Sequence, residues 1–317
     1  MDKILEKALD IRYVKLRISI VFTKQAKLPK YKVSTLRGGI GEMLLRTNCV
    51  RDRNCESCGF RSECIVQRIF YGKFDKKPDF VTTGESIGYV LECENSQEKF
   101  EKGETMEFQM LLFGKLIVYF GQLMQALYQM GLYGIGKEKA TFQIHSVYNT
   151  AGEVLMDQNN VYMEQYQIQT VGDYVHSRLS QFRTEGNGIY SMQFDTPLTL
   201  KFQSEFLREF HMEALLRAVK RRVFMLDCFE NLEGEDYYRS KCQIPQMIEQ
   251  KAYPRSVKRV SFRKNRKLIL MGIEGTLVFS NVEVETLELL LAGELIHIGK
   301  NTSFGFGKYK LNQIYSS

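Results

Sequence analysis

Residues 292–309 read AGELIHIGKNTSFGFGKY, the end of an apolar helix followed by a glycine-rich turn and the start of a strand. Gly299, Gly305 and Gly307 open backbone angles that residues with side chains rarely adopt, and they leave room for a close neighbour. Lys300 and Lys308 put positive charge at the two ends of the turn, and His297 stands two residues before its first glycine. Such a turn lets a phosphate backbone approach main-chain N–H groups while the lysines supply countercharge. The same composition also serves a ligand-free connection between a helix and a strand, so the surroundings must decide.

Outward from this turn the chain repeats itself. Gly131, Gly134 and Gly136 mark an earlier glycine-rich turn, again between an amphipathic helix (116–130) and a strand (140–148). In the first half, residues 13–22 (YVKLRISIVF) alternate Val14, Leu16, Ile18 and Ile20 on one face, the period of a strand. Ser34-Thr35 offers an N-cap for a helix through Ile40, Met43 and Leu44 that ends near Asn48, and strands are expected at 87–94 and 105–113. In the second half a strand at 188–201 precedes a long helix over 206–229, a hairpin with strands at 257–262 and 268–279, a helix at 284–296 and a last strand at 308–314. An order repeated after roughly 150 residues predicts a duplicated α+β domain. The units are taken as residues 1–156 and 171–317, joined by the polar stretch 157–170.

Composition sets wide limits. With 317 residues, 44% of them apolar, the chain can bury two cores. Lys and Arg outnumber Asp and Glu by 44 to 37, a surplus that permits a polyanionic partner without demanding one. No apolar run nears the roughly 20 residues that span a bilayer, so no membrane partner is expected. The charged start, MDKILEK, lacks the apolar core of a signal peptide. Seven cysteines in such a chain point to a reducing cytoplasm. Trp is absent, so any stacking on bases falls to Phe, Tyr, His or Arg.

Three stretches together resemble a known family: the turn at 292–309, residues 34–45 (STLRGGIGEMLL), and residues 195–201 (DTPLTLK). They are similar to the RAMP superfamily of CRISPR RNA-binding proteins, above all to its repeat-processing endoribonucleases, and the match covers most of the chain. The resemblance implies two tandem ferredoxin-like, RRM-like domains, with a CRISPR repeat hairpin as RNA partner and other CRISPR effector or adaptation proteins as further partners. It also implies cleavage without a catalytic metal, by attack of a ribose 2′-OH that leaves a 2′,3′-cyclic phosphate. The alternative within the superfamily is a non-catalytic subunit that grips guide RNA.

Basic residues cluster twice near the turn. Arg255, Lys258, Arg259, Arg263, Lys264, Arg266 and Lys267 crowd the hairpin, and Arg217, Lys220, Arg221 and Arg222 lie on the long helix. With Gly299, Lys300, Gly305, Gly307 and Lys308 they are expected to form a track for phosphates, which positions RNA without reading sequence. A repeat stem would then be recognised by its A-form shape and a few bases at its foot.

Cys49, Cys55, Cys58 and Cys64 follow the spacing C-x5-C-x2-C-x5-C in a Cys-rich insert at 49–64 with little apolar content. Four thiols in so short a segment suit a tetrahedral structural zinc, which would explain how it folds. An iron–sulfur cluster takes the same ligands, and four unliganded thiols are the third reading.

Cleavage by a 2′-OH needs a base, an acid and a cation at the phosphorus. Relatives of this type often use a His or Tyr in or near the first helix, and here no His precedes His145. Tyr31, among Lys27, Lys30 and Lys32, is the substitute at that place. His297 alone among the four histidines adjoins the glycine-rich turn, which makes it the first candidate for acid or base with Lys300 as the cation; a packed imidazole at a helix end is the competing reading.

Overall fold

The computed structural model describes residues 9–55, 57–72, 74, 78–81, 87–158, 160–182, 188–232, 241–261 and 266–314, with backbone alone at 260–261 and 266–267. The first unit runs β1 (Arg12–Phe22), α1 (Val33–Asn48), β2 (Tyr89–Glu92), β3 (Thr105–Phe113), α2 (Phe120–Tyr133) and β4 (Phe142–Tyr148). Its antiparallel sheet has the order β2-β3-β1-β4, with the short strand Val154–Met156 beyond β4. The second unit runs β5 (Ile189–Leu198), α3 (Met212–Glu230), β6 (Gln246–Ser261), β7 (Arg266–Ser280), α4 (Val284–Ile296) and β8 (Tyr309–Ile314). Its sheet order is β6-β7-β5-β8, the same arrangement. Both units are therefore ferredoxin-like, each a βαββαβ chain folded into one sheet.

Alternation along β1 explains which side the helices cover. Leu16, Ile18, Ile20 and Phe22 are fully buried, and Leu36, Ile40, Leu123 and Leu127 of the two helices join the same core. In the second unit Met192 and Phe194 of β5 occupy that place with Leu215, Val219 and Leu290. Each such side chain contributes about 1.5–3 kcal/mol by leaving water.

Three local expectations are corrected. The helix expected from residue 206 begins at Met212, because Lys201–Phe202 and Glu205–Phe206 pair as a small hairpin ahead of it. The strands β6 and β7 pair from Gln246↔Ser280 to Ser261↔Arg266, far longer than the hairpin read from apolar spacing. Much of β6 is exposed and charged, which hides its strand period. The first helix starts at Val33 with Lys32 as N-cap and no side-chain cap, so Ser34 does not cap it. Lys32 instead turns inward, fully buried, with Nζ donating to the Asn95 carbonyl at 2.8 Å.

The units are tied by buried polar groups. Arg222 of α3 donates through Nε to the Ile296 carbonyl at 3.2 Å and through Nη2 to the Ile87 carbonyl of the first unit at 3.0 Å. Arg12 of β1 pairs with the buried Glu230 at the end of α3. The helix Val171–Leu179 in turn packs along α4, with Arg178 Nε bonded to Glu294 at 3.1 Å. Replacing Arg222 by Met keeps much of the volume and removes the donors, leaving two buried carbonyls without them. A loss of about 1.5–3 kcal/mol is expected, measured as a lower Tm and midpoint in urea; an unchanged midpoint would refute the tie.

Candidate nucleic-acid interface at the domain seam

The glycine-rich turn sits where the two units meet. Gly307 adopts φ 70°, and a Cβ there would lie 1.8 Å from the Ile298 carbonyl oxygen. Gly305, at φ 77°, packs so that a Cβ would meet the Leu91 carbonyl of β2 at 2.7 Å. The end of β5 cradles the turn: Gly307 N donates to the Pro197 carbonyl at 3.1 Å and Lys300 N to the Thr199 carbonyl at 2.8 Å. The Lys308 N–H reaches Thr196 Oγ1 at 2.9 Å. Residues 195–201, which resemble the family at sequence level, thus serve as the seat of the turn. The backbone donors of 298, 300 and 304–307 all bond within the protein, so the glycines at 305 and 307 act here through close packing rather than as open N–H donors for a phosphate.

His297 and Lys308 flank the turn and converge on one carboxylate of the other unit. Glu92, at the end of β2, is 5% exposed. Its Oε1 lies 3.2 Å from His297 Nε2, and its Oε2 accepts from Lys308 Nζ at 2.6 Å. Burial alone would raise the Glu92 pKa; the hydrogen bond from His297 and the charges of Lys15 and Lys308 outweigh it and hold the carboxyl well below the usual range. His297 is 0% exposed, and its Nδ1 faces the Phe306 carbonyl at 3.1 Å. The expectation that it faces a phosphate as acid or base is therefore corrected: both ring nitrogens are occupied by protein oxygens. Lys308, bonded also to Glu94 at 2.5 Å, is likewise engaged by carboxylates.

Accessible charge gathers beside the turn instead. Phe304, half-buried at its centre, is flanked by two guanidinium groups from different units. Arg37 of α1 lies 4.4 Å from its ring centroid and Arg259 of β6 lies 4.1 Å from it. Arg37 Nε donates to the Tyr89 hydroxyl at 2.7 Å. Burial and then the Arg37 charge push the Arg259 pKa down. Two cations held on one ring repel each other, and an anion between them would relieve that cost. Neither Arg37, Phe304 nor Glu92 stood out in the sequence. Arg37 does lie within residues 34–45, where its spacing to the family stretch was the available signal.

The other expected residues scatter. Tyr31 is exposed just ahead of α1, and Lys300 is exposed on the turn. Arg255 pairs with Glu274 at 2.9 Å. Arg263 and Lys264 lie outside the described residues, while Arg266 and Lys267 begin β7. The cluster on α3 turns inward rather than forming a basic face: Lys220 and Arg222 are buried, and Arg221 Nη2 bonds the Phe80 carbonyl at 2.8 Å. Among the described residues no group of three His, Cys, Asp or Glu side chains gathers to hold a metal. Cys49 and Cys55 rest their sulfurs near the carbonyls of Arg51 and Arg53, at 3.5 and 3.7 Å. Zinc at Cys49, Cys55, Cys58 and Cys64, with an iron–sulfur cluster as the alternative, remains a proposal resting on donor chemistry.

A family model described as an N-terminal domain matches residues 11–172, and that of the CRISPR-associated endoribonuclease Cas6 matches residues 192–309. The second unit thus carries a Cas6-type domain. An uncharacterized protein of Archaeoglobus fulgidus is 21% identical over 308 residues, 92% of this chain and 95% of its own. Among solved structures, a Cas6 product complex has a TM-score of 0.50 at 11% identity and covers 95% of this chain and 100% of that one. A partial Cas6-RT-Cas1–Cas2 complex has a TM-score of 0.57 at 12% identity, with 96% of this chain covered. This chain spans 46% of that larger one. At these identities the likeness is one of fold, and the fold is that of Cas6.

Two measurements follow from the seam and the Cys-rich insert. Glu92 has a depressed pKa when folded, so its contribution is present above the unfolded carboxylate range and is lost as pH falls through the lower folded value. Glu92→Gln is expected to cost about 1.5–3 kcal/mol at neutral pH, and the gap to wild type should close only in strong acid, as read by urea denaturation across pH. A gap independent of pH would overturn the assignment. Elemental analysis tests the insert: about one zinc per chain, lost in Cys55→Ser with Cys58→Ser, is the result that donor chemistry supports, and metal-free protein with unchanged stability removes it.

Proposed function

We propose that this chain binds CRISPR repeat transcripts across the domain seam and cleaves them into guide RNAs. The observation that carries the reading is the convergence of Arg37 and Arg259, from separate units, on Phe304 of the glycine-rich turn. A phosphate there would meet two fork-shaped donors that favour bidentate contact. In the proposed reaction the 2′-oxygen attacks the adjacent phosphorus and the bond to the 5′-oxygen breaks. A base takes the 2′-OH proton, and an acid returns one to the departing oxygen, giving a 2′,3′-cyclic phosphate and a 5′-OH. Tyr31 and Lys300, both exposed, are the proposed proton-transfer group and transition-state cation, with Arg37 and Arg259 holding the phosphate. The exposed ribbon β6–β7, with Lys258, extends the proposed path for a stem.

Buried His297 favours one competing reading, a Cas6-like subunit that binds guide RNA without cutting it. The Cas6-RT-Cas1–Cas2 complex supports CRISPR proteins as further partners in either case, and the cytoplasm as the place of action is part of the same proposal.

Single-turnover cleavage of a labelled repeat hairpin in EDTA separates the two. Cleavage supports the nuclease, and tight binding without product supports the subunit. Tyr31→Phe is expected to slow cleavage about 10²–10⁴-fold with little change in affinity. Arg37→Ala and Arg259→Ala should each lower affinity and flatten the log–log salt slope by about 0.7–0.9; unchanged slopes would place the phosphate elsewhere. His297→Ala, as a seam residue, should lower binding and cleavage together.

A further inference from the structure

The small hairpin between β5 and α3 repeats the pattern seen at Phe304. Lys201–Phe202 and Glu205–Phe206 pair through a two-residue turn in which Gln203 (φ 50°) and Ser204 (φ 72°) both take left-handed angles. Neither is glycine or asparagine, the residues that adopt these angles at least cost. The register puts Lys201 directly opposite Phe206. Phe206 is 56% exposed, and two ammonium groups lie against its ring: Lys201 Nζ at 4.7 Å from the centroid and Lys300 Nζ at 5.9 Å. Among the described residues neither lysine forms an ion pair. The opposite face carries Phe202, whose ring packs 4.4 Å from that of His211 and 5.7 Å from the Arg217 guanidinium. Arg217 is already paired with Glu213 at 2.5 Å, so the unpaired charge lies on the Phe206 face.

Lys300 belongs to the glycine-rich turn, and its backbone bonds Thr199 immediately before the hairpin. The exposed ring is thus fixed to the turn that holds Phe304. We propose that Phe206 is a stacking platform for an unpaired RNA base, with Lys201 and Lys300 binding the phosphates on either side of that nucleotide. Aromatic rings accept any base face, and flanking lysines hold the backbone, which is the chemistry of single-stranded recognition rather than of a paired stem. The two ammonium groups over one ring would then separate onto two phosphates. This inference rests on the RNA-binding reading above and adds to it a site for an unpaired flank.

The absence of Trp from the chain provides a clean reporter. In the full-length protein, Phe206→Trp gives a single indole at the site, and titration uses two probes: a repeat hairpin with unpaired adenosines at its foot, and the same hairpin cut blunt. Quenching by the first and not the second is expected. Phe206→Ala should weaken binding of the flanked hairpin about 5- to 100-fold and leave the blunt hairpin unchanged. If wild-type protein binds the flanked hairpin while Phe206→Ala binds it equally well and the indole emission does not respond, the platform is overturned and the RNA-binding reading stands. If wild-type protein binds neither hairpin, the RNA-binding reading fails and the platform with it.

Discussion

The structure depends on one buried carboxylate. Glu92 leaves the edge of the first sheet and takes up His297 and Lys308 from either side of the glycine-rich turn. A carboxylate so little exposed is costly unless its oxygens are fully bonded, and here both are. Because its partners come from the other unit, the bonding that satisfies it also fixes where the second domain sits. Arg222 does the reciprocal task from α3, donating to carbonyls on both sides of the same boundary. The seam is therefore organised by polar groups with strict directional needs, which specify an orientation more narrowly than apolar contact does.

That orientation brings Arg37 and Arg259 to one aromatic ring. Each guanidinium stacks on Phe304 from its own domain, so neither unit alone builds the pair. The glycines allow it by thinning the turn: Gly305 slides beneath the Leu91 carbonyl, and Gly307 folds back on Ile298. A methyl group at either position would push the turn off β2 and carry Phe304 with it.

Much of the fold was legible from periodicity. The apolar alternation of β1 and the helix–turn–strand order repeated in the two units both appear where the sequence places them. The small hairpin at 201–206 was lost because Phe206 and Phe210 continue a helical spacing into residues that pair as strands. The length of β6 was lost because an exposed ribbon has no apolar alternation to read. The site was less legible than the fold, for a physical reason. His297 and Lys308 carry chemistry in isolation, and only tertiary structure reveals that Glu92 occupies both. The basic group on α3 misleads in the same way, since Lys220 and Arg222 point into the protein. Spacing along a helix shows which residues share a face, not what that face meets.

The long ribbon carries a consequence for handling the molecule. β6 is the edge of its sheet, and Ile248, Tyr253, Ile269 and Met271 are exposed along it and its partner. An open edge with apolar side chains is a template for pairing with another copy, and charged side chains are what ordinarily discourage it. Lys251, Arg255 and Lys258 stand on that edge. The positive charge read here as a path for phosphate thus also keeps one molecule from zipping onto the next, and neutralising it invites aggregation.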